Sequence, residues 1–141
     1  MDHVRAFAIS SAGLEIERLR VEVASLNLAN AHTVADADGT VFQPSRVVAR
    51  SAGVEAFAGQ VQRHLALPVA TVEPSTLAPR RVHEPGHPLA DERGFVAYAP
   101  VDPATEMLSL MAATRAYEAN IAALNAARTM AMKALDIGGA S

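Results

Sequence analysis

Residues 106–135 read EMLSLMAATRAYEANIAALNAARTMAMKAL, from Glu106 to Leu135. Met107, Leu110, Thr114, Tyr117, Ile121, Leu124, Arg128, Ala131 and Leu135 recur within it in alternating steps of three and four. That spacing belongs to an α-helix with a coiled-coil seam along one side. Pro103 suits its first turn, and Glu106 suits the positive N-terminal end. Gly138-Gly139 closes the pattern. A helix of roughly 33 residues is a rod of about 50 Å, long for a chain of this size. One face of such a rod needs partners.

The opposite end of the chain repeats the theme. Ile9, Ala12, Ile16, Leu19, Val23 and Leu26 also step by three and four, which predicts a helix over about residues 2–30. Gly13 weakens its interior by about 1 kcal/mol relative to Ala. Asn30-Ala31-His32-Thr33 marks its end, because Asn tolerates the left-handed conformation that closes helices.

Residues 34–103 have another texture, and all eight prolines fall there. Ala35-Asp36-Ala37-Asp38-Gly39-Thr40 reads as a turn. Val41–Arg50 reads as a strand that Pro44 confines to an edge. Val54–Val61 fits either helix or strand. His64–Glu73, with Leu65, Leu67, Val69 and Val72 as its apolar positions, predicts a strand. Arg80–His83 and Gly94–Tyr98 are shorter extended pieces, and Glu84–Asp91, with two prolines and a glycine, is irregular. The predicted class is α+β, with long N- and C-terminal helices forming a coiled-coil hairpin or core around a small, loop-rich β middle. The division is 1–33, 34–103 and 104–141.

Composition narrows the function. A chain of 141 residues holds one compact domain at most. Half the residues are hydrophobic but only 4% are aromatic, so small side chains carry much of the apolar content. Ala-rich helices bury little area per contact and gain more when several pack together. A net charge of −3 argues against nucleic acid and against a polybasic membrane anchor. Without Cys there is no disulfide, thiolate nucleophile or cysteine zinc site. Charged residues interrupt the first twenty positions, so a cleaved leader is not expected, and no stretch of ~20 apolar residues suits a bilayer. No phosphate-cradling loop or nucleophile elbow is present. No cofactor is implied.

Three groups of residues invite chemistry. His83, Glu84, His87 and Asp91 are zinc-compatible donors, but their segment contains proline and need not converge them; turn and surface packing is the alternative. Asn27 and Asn30 share a helix face. Asn27 either sets register between subunits or ends the helix, and for Asn30 capping is the stronger reading. Arg115 and Arg128 either pair with a neighbour's Glu15, Glu17 or Glu22, or lie along a solvated face.

The residue pattern resembles a known family. Ser25-x-Asn27-Leu28-Ala29-Asn30-Ala31-x-Thr33 looks like the N-terminal signature of the axial proteins of the bacterial flagellum, those of the rod and hook. Glu106-Met107 with Arg115-x-Tyr117-x-Ala119-Asn120 looks like their C-terminal signature, departing from it at Glu118, where Gln is usual. Pro85-Gly86-His87-Pro88-Leu89-Ala90-Asp91-x-x-Gly94-Phe95-Val96-Ala97-Tyr98 is similar to a segment of the C-type proximal-rod members. The resemblance implies a non-enzymatic subunit, exported through the flagellar type III apparatus. Its terminal helices would form a polymer core around the export channel, and the rod would carry torque across the periplasm. Partners would be copies of itself and other rod subunits, with neither nucleic acid nor membrane insertion. The implied interface residues are Ile9, Ile16, Leu19, Val23, Leu26, Asn27, Asn30, Met107, Leu110, Tyr117, Asn120, Ile121, Leu124, Arg128 and Leu135. B- or F-type rod proteins and a helical export chaperone or adaptor are the alternatives.

Overall fold

The computed structural model describes residues 2–36, 38–51 and 67–138. Helix α1 covers Asp2–Ala29. Strands β1 (Ser45–Ser51), β2 (Pro68–Pro74), β3 (Arg80–His83) and β4 (Phe95–Tyr98) follow, and helix α2 covers Pro103–Gly138. The class is α+β, with long helices at the two ends and small sheets between. The expected element at Val54–Val61, and the start of the strand expected from His64, lie outside the described residues.

Local chemistry fixes the element ends. At α2, Asp102 is the N-cap: its Oδ1 accepts the Ala104 N–H at 3.3 Å and its Oδ2 accepts the Thr105 hydroxyl at 2.5 Å. Pro103 then supplies the first turn, where its missing N–H is harmless. At the end of α1, Asn30 Nδ2 donates to the Leu26 carbonyl at 2.8 Å. Among the described residues no non-glycine residue has a positive φ, so Asn30 closes the helix with its side chain and not with the left-handed backbone expected.

The first strand differs from expectation at its start. β1 begins at Ser45, not Val41, because Val41 is drawn into a hydrophobic cluster and Pro44 breaks the run. β2 begins on Pro68, a position where proline forfeits no ladder bond. β1 pairs with β2, and β3 pairs antiparallel with β4, Arg80 opposite Tyr98 and His83 opposite Phe95. The far side of β4 is held by Ala35 N–H on the Ala97 carbonyl at 2.8 Å and Ala99 N–H on the Thr33 carbonyl at 2.9 Å.

The chain divides into two compact units. One comprises Met1–Leu19, Val48–Thr71 and Ala112–Ser141; the other comprises Arg20–Val47 and Val72–Met111. In the second unit, Ala31, Val41, Ala99 and Val101 form a core, with Ala35, Phe42 and Ala97 packed against it. In the first unit, Ile16, Ala113 and Ala127 are buried. Both interiors are built from small side chains, as the composition requires. Gly13 has a packing role there: a Cβ on it would stand 2.9 Å from both Oδ1 and Nδ2 of Asn120. The glycine that weakens α1 locally also lets α2 approach closely at that point.

Candidate functional site

The surfaces of the two helices are the candidate site. On α2, the positions the chain itself covers wholly or in part include Glu106, Leu110, Ala113, Tyr117, Asn120, Leu124, Ala127 and Ala131. They too step by four and three. Leu110, Tyr117, Leu124 and Ala131 belong to the stripe read from sequence. The other five stripe residues, Met107, Thr114, Ile121, Arg128 and Leu135, are all exposed, Leu135 at 75% and Ile121 at 39%. The inward row is shifted by one residue, to Glu106, Ala113, Asn120 and Ala127. Close helix approach explains the shift, since Ala and the Gly13–Asn120 contact admit a short interaxial distance that Met, Ile or Arg would prop open. Large apolar side chains of the other row, Met107, Ile121 and Leu135, are left outside.

α1 shows the same split. Ile16 and Ala24 are buried, Leu19 and Val23 are half-covered, and Ile9 and Leu26 are exposed. Asn27, expected at a subunit contact, is 2% exposed and turned into its own chain. Its Nδ2 donates to the Ser45 carbonyl at 2.8 Å, and its Oδ1 accepts the Ser45 N–H at 3.0 Å. One amide thus satisfies both backbone groups of the first β1 residue, and register between α1 and β1 is set within the subunit. Sequence reading picked out Asn27 but missed Ser45, because a residue 18 positions away leaves no periodic signal. Asn30 is likewise engaged locally, accepting the Thr33 hydroxyl at 3.3 Å besides capping Leu26.

The four zinc-compatible side chains have separate tasks. His83 meets Phe95 edge to face at a centroid distance of 5.1 Å. Glu84 accepts the Tyr98 hydroxyl at 2.9 Å. His87 Nδ1 accepts the Leu89 N–H at 3.1 Å. Asp91 Oδ1 accepts the N–H groups of Arg93 and Phe95, each at 2.9 Å, and its carboxylate lies 4.0 Å from the Arg81 guanidinium. Among the described residues no three His, Cys, Asp or Glu side chains gather as a metal-holding group. The loop between β3 and β4 is a polar frame. Gly94 completes it with φ +77°, and a Cβ there would stand 3.0 Å from Pro85 Cβ.

Comparison with known proteins identifies the family. A family model for the C-terminal region of the flagellar basal body rod FlgEFG proteins matches residues 92–137, from the β3–β4 loop into α2. The chain is 39% identical over 132 residues to the flagellar basal-body rod protein FlgC of Salmonella typhimurium, covering 94% of this chain and 95% of that one. It is 32% identical over 142 residues to FlgC of Bacillus subtilis, covering 92% and 94%. It is 31% identical over 125 residues to FlgC of Aquifex aeolicus, covering 89% of each. The chain belongs to the flagellar basal-body rod protein FlgC family. As a FlgC family member it is a structural subunit of the basal-body rod, located in the flagellar basal body and assembling with other rod components. The resemblance to C-type members holds over the B- and F-type alternatives. Among the described residues no helix is long and apolar enough to cross a membrane.

Proposed function

We propose that the chain is a subunit of the proximal rod that polymerises through the outward faces of α1 and α2, with copies of itself and with other rod subunits. The observation that carries this reading is the set of large apolar side chains left exposed on α2 while Ala113 and Ala127 are buried: Met107, Leu108, Met111, Ile121 and Leu135. Covering one such side chain fully is worth about 1.5–3 kcal/mol. Neighbours of like kind supply that cover, and a heterologous contact that does not close yields a helical polymer. The interface comprises Ile9, Leu26, Met107, Ile121, Arg128 and Leu135 directly. Ile16, Leu19, Val23, Leu110, Tyr117, Asn120 and Leu124 support it from beneath.

The mechanism is mechanical. Bundled helices around an axial channel resist twist, and the rod so formed transmits torque from motor to hook. The chain reaches its place through the flagellar type III export apparatus, performs no catalysis and holds no cofactor. It binds no nucleic acid and does not insert into the membrane. Complementation of a rod-deficient strain tests the reading. Ile121→Asp should leave expression and the helical content of the isolated chain unchanged while abolishing swimming and recovery in purified basal bodies. Swimming cells carrying Ile121→Asp would contradict it.

A further inference from the structure

We propose that Met107 and Met111 form an oxidation-sensitive contact at the start of α2, and that sulfoxide formation there keeps the subunit out of the rod. The inference rests on the assembly reading above and adds a modification site to it. Met is among the residues most often buried, yet Met107 and Met111 are 54% and 56% exposed, with Leu108 exposed beside them. The two methionines stand four residues apart on one helix, so their thioethers share a face. The positions the chain covers in the same turns are Glu106 and Leu110, leaving the thioethers free to meet solvent and, later, a neighbour.

The chemistry needs only a peroxide. The thioether sulfur attacks one oxygen of hydrogen peroxide; an S–O bond forms as the O–O bond breaks, and water leaves after proton transfer. Sulfur is oxidised by two electrons and the peroxide is reduced. A flexible apolar side chain becomes a polar one with a strong acceptor oxygen. Burying that oxygen at a helix contact without a donor opposes assembly. The window of vulnerability precedes assembly, because a neighbour packed on this face excludes the oxidant.

The purified full-length chain treated with hydrogen peroxide should gain one oxygen on each of Met107 and Met111, read by peptide mass spectrometry. Two double variants then separate chemistry from packing: M107L/M111L, which cannot be oxidised, and M107Q/M111Q, in which the amide stands in for the sulfoxide. Both should keep the wild-type thermal midpoint, since the pair lies outside the interior. Peroxide treatment of cells should lower entry of the wild-type chain into basal bodies and leave entry of the Leu pair at its own untreated level, whereas the untreated Gln pair should enter about tenfold less than the Leu pair or worse. Wild-type incorporation by the Gln pair, or failure of the two sulfurs to react in the isolated chain, overturns the proposal. Absence of the untreated wild-type chain from purified basal bodies is a different result, and it would sink the assembly reading itself.

Discussion

A single amide holds the junction between the first helix and the first strand. Asn27 serves both backbone groups of Ser45. Asn27→Ala leaves those groups poorly satisfied and should cost about 1–3 kcal/mol. Asn27→Asp should be no better at neutral pH, because its carboxylate faces the Ser45 carbonyl. Urea unfolding followed by circular dichroism reads both. The polar frame between β3 and β4 sets the pH window. The Phe95 N–H chiefly holds the Asp91 carboxyl below its usual 3.8, helped by the Arg93 N–H and the charges of Arg81 and Arg93. The Thr105 hydroxyl, then the Ala104 N–H, does the same for Asp102. Depressed carboxyl values mean stability that is present above the unfolded value of ~3.9 and lost as pH falls through the folded ones. Tyr98 is raised above 10.0, chiefly because its hydroxyl donates to the Glu84 carboxylate. Its contribution is present below pH 10 and lost as pH rises through the folded value. The protection of the Arg93 and Phe95 amides, taken relative to intrinsic exchange at each pH, should therefore hold level between these limits and fall on the acid side first. Protection that stays level through pH 3 would contradict the role given to Asp91.

At the scale of elements, three glycines test how the pieces meet. Gly13→Val should cost about 1–3 kcal/mol by overpacking against Asn120. In an Asn120→Ala background the space is open, and Gly13→Ala should then stabilise by about 1 kcal/mol through helix propensity. A penalty for Gly13→Ala in that background would mean the contact is misplaced. In the β3–β4 loop, Gly94→Ala meets both a positive φ and Pro85, and should cost about 1–2 kcal/mol. Gly86→Ala, with nothing within 4 Å of its new Cβ, should be near neutral. Thermal melts of the four variants decide. The elements themselves were legible: both helices, the β3 and β4 segments and the irregular Glu84–Asp91 run follow from periodicity, proline and capping residues. What periodicity could not resolve was which of two adjacent rows on α2 faces inward. Rows at 106, 113, 120, 127 and 107, 114, 121, 128 both satisfy a heptad rule, and hydrophobicity favours the second. Close packing selected the first, through Ala113, Ala127 and the Gly13–Asn120 contact, none of which a hydrophobic pattern registers. The clamp from Asn27 to Ser45 was hidden for a related reason: hydrogen-bond partners far apart in sequence have no local signature.

For the whole molecule, the distribution of side chains is the argument. Interiors made chiefly of Ala and Val hold the chain together, while Met107, Leu108, Ile121 and Leu135 remain outside. Leu124, partly covered, and Ile121, exposed, should therefore behave differently when changed to Asp. Leu124→Asp should lower both the thermal midpoint of the isolated chain and incorporation into the rod. Ile121→Asp should affect incorporation alone. Hydroxyl-radical footprinting of α2, compared between the free chain and purified basal bodies, addresses the account most directly. Reactivity at Met107, Leu108, Ile121 and Leu135 should fall on assembly, because neighbouring subunits remove these apolar groups from water. Equal labelling of those four residues in the free and assembled states would show that the outward row of α2 is not what joins one subunit to the next.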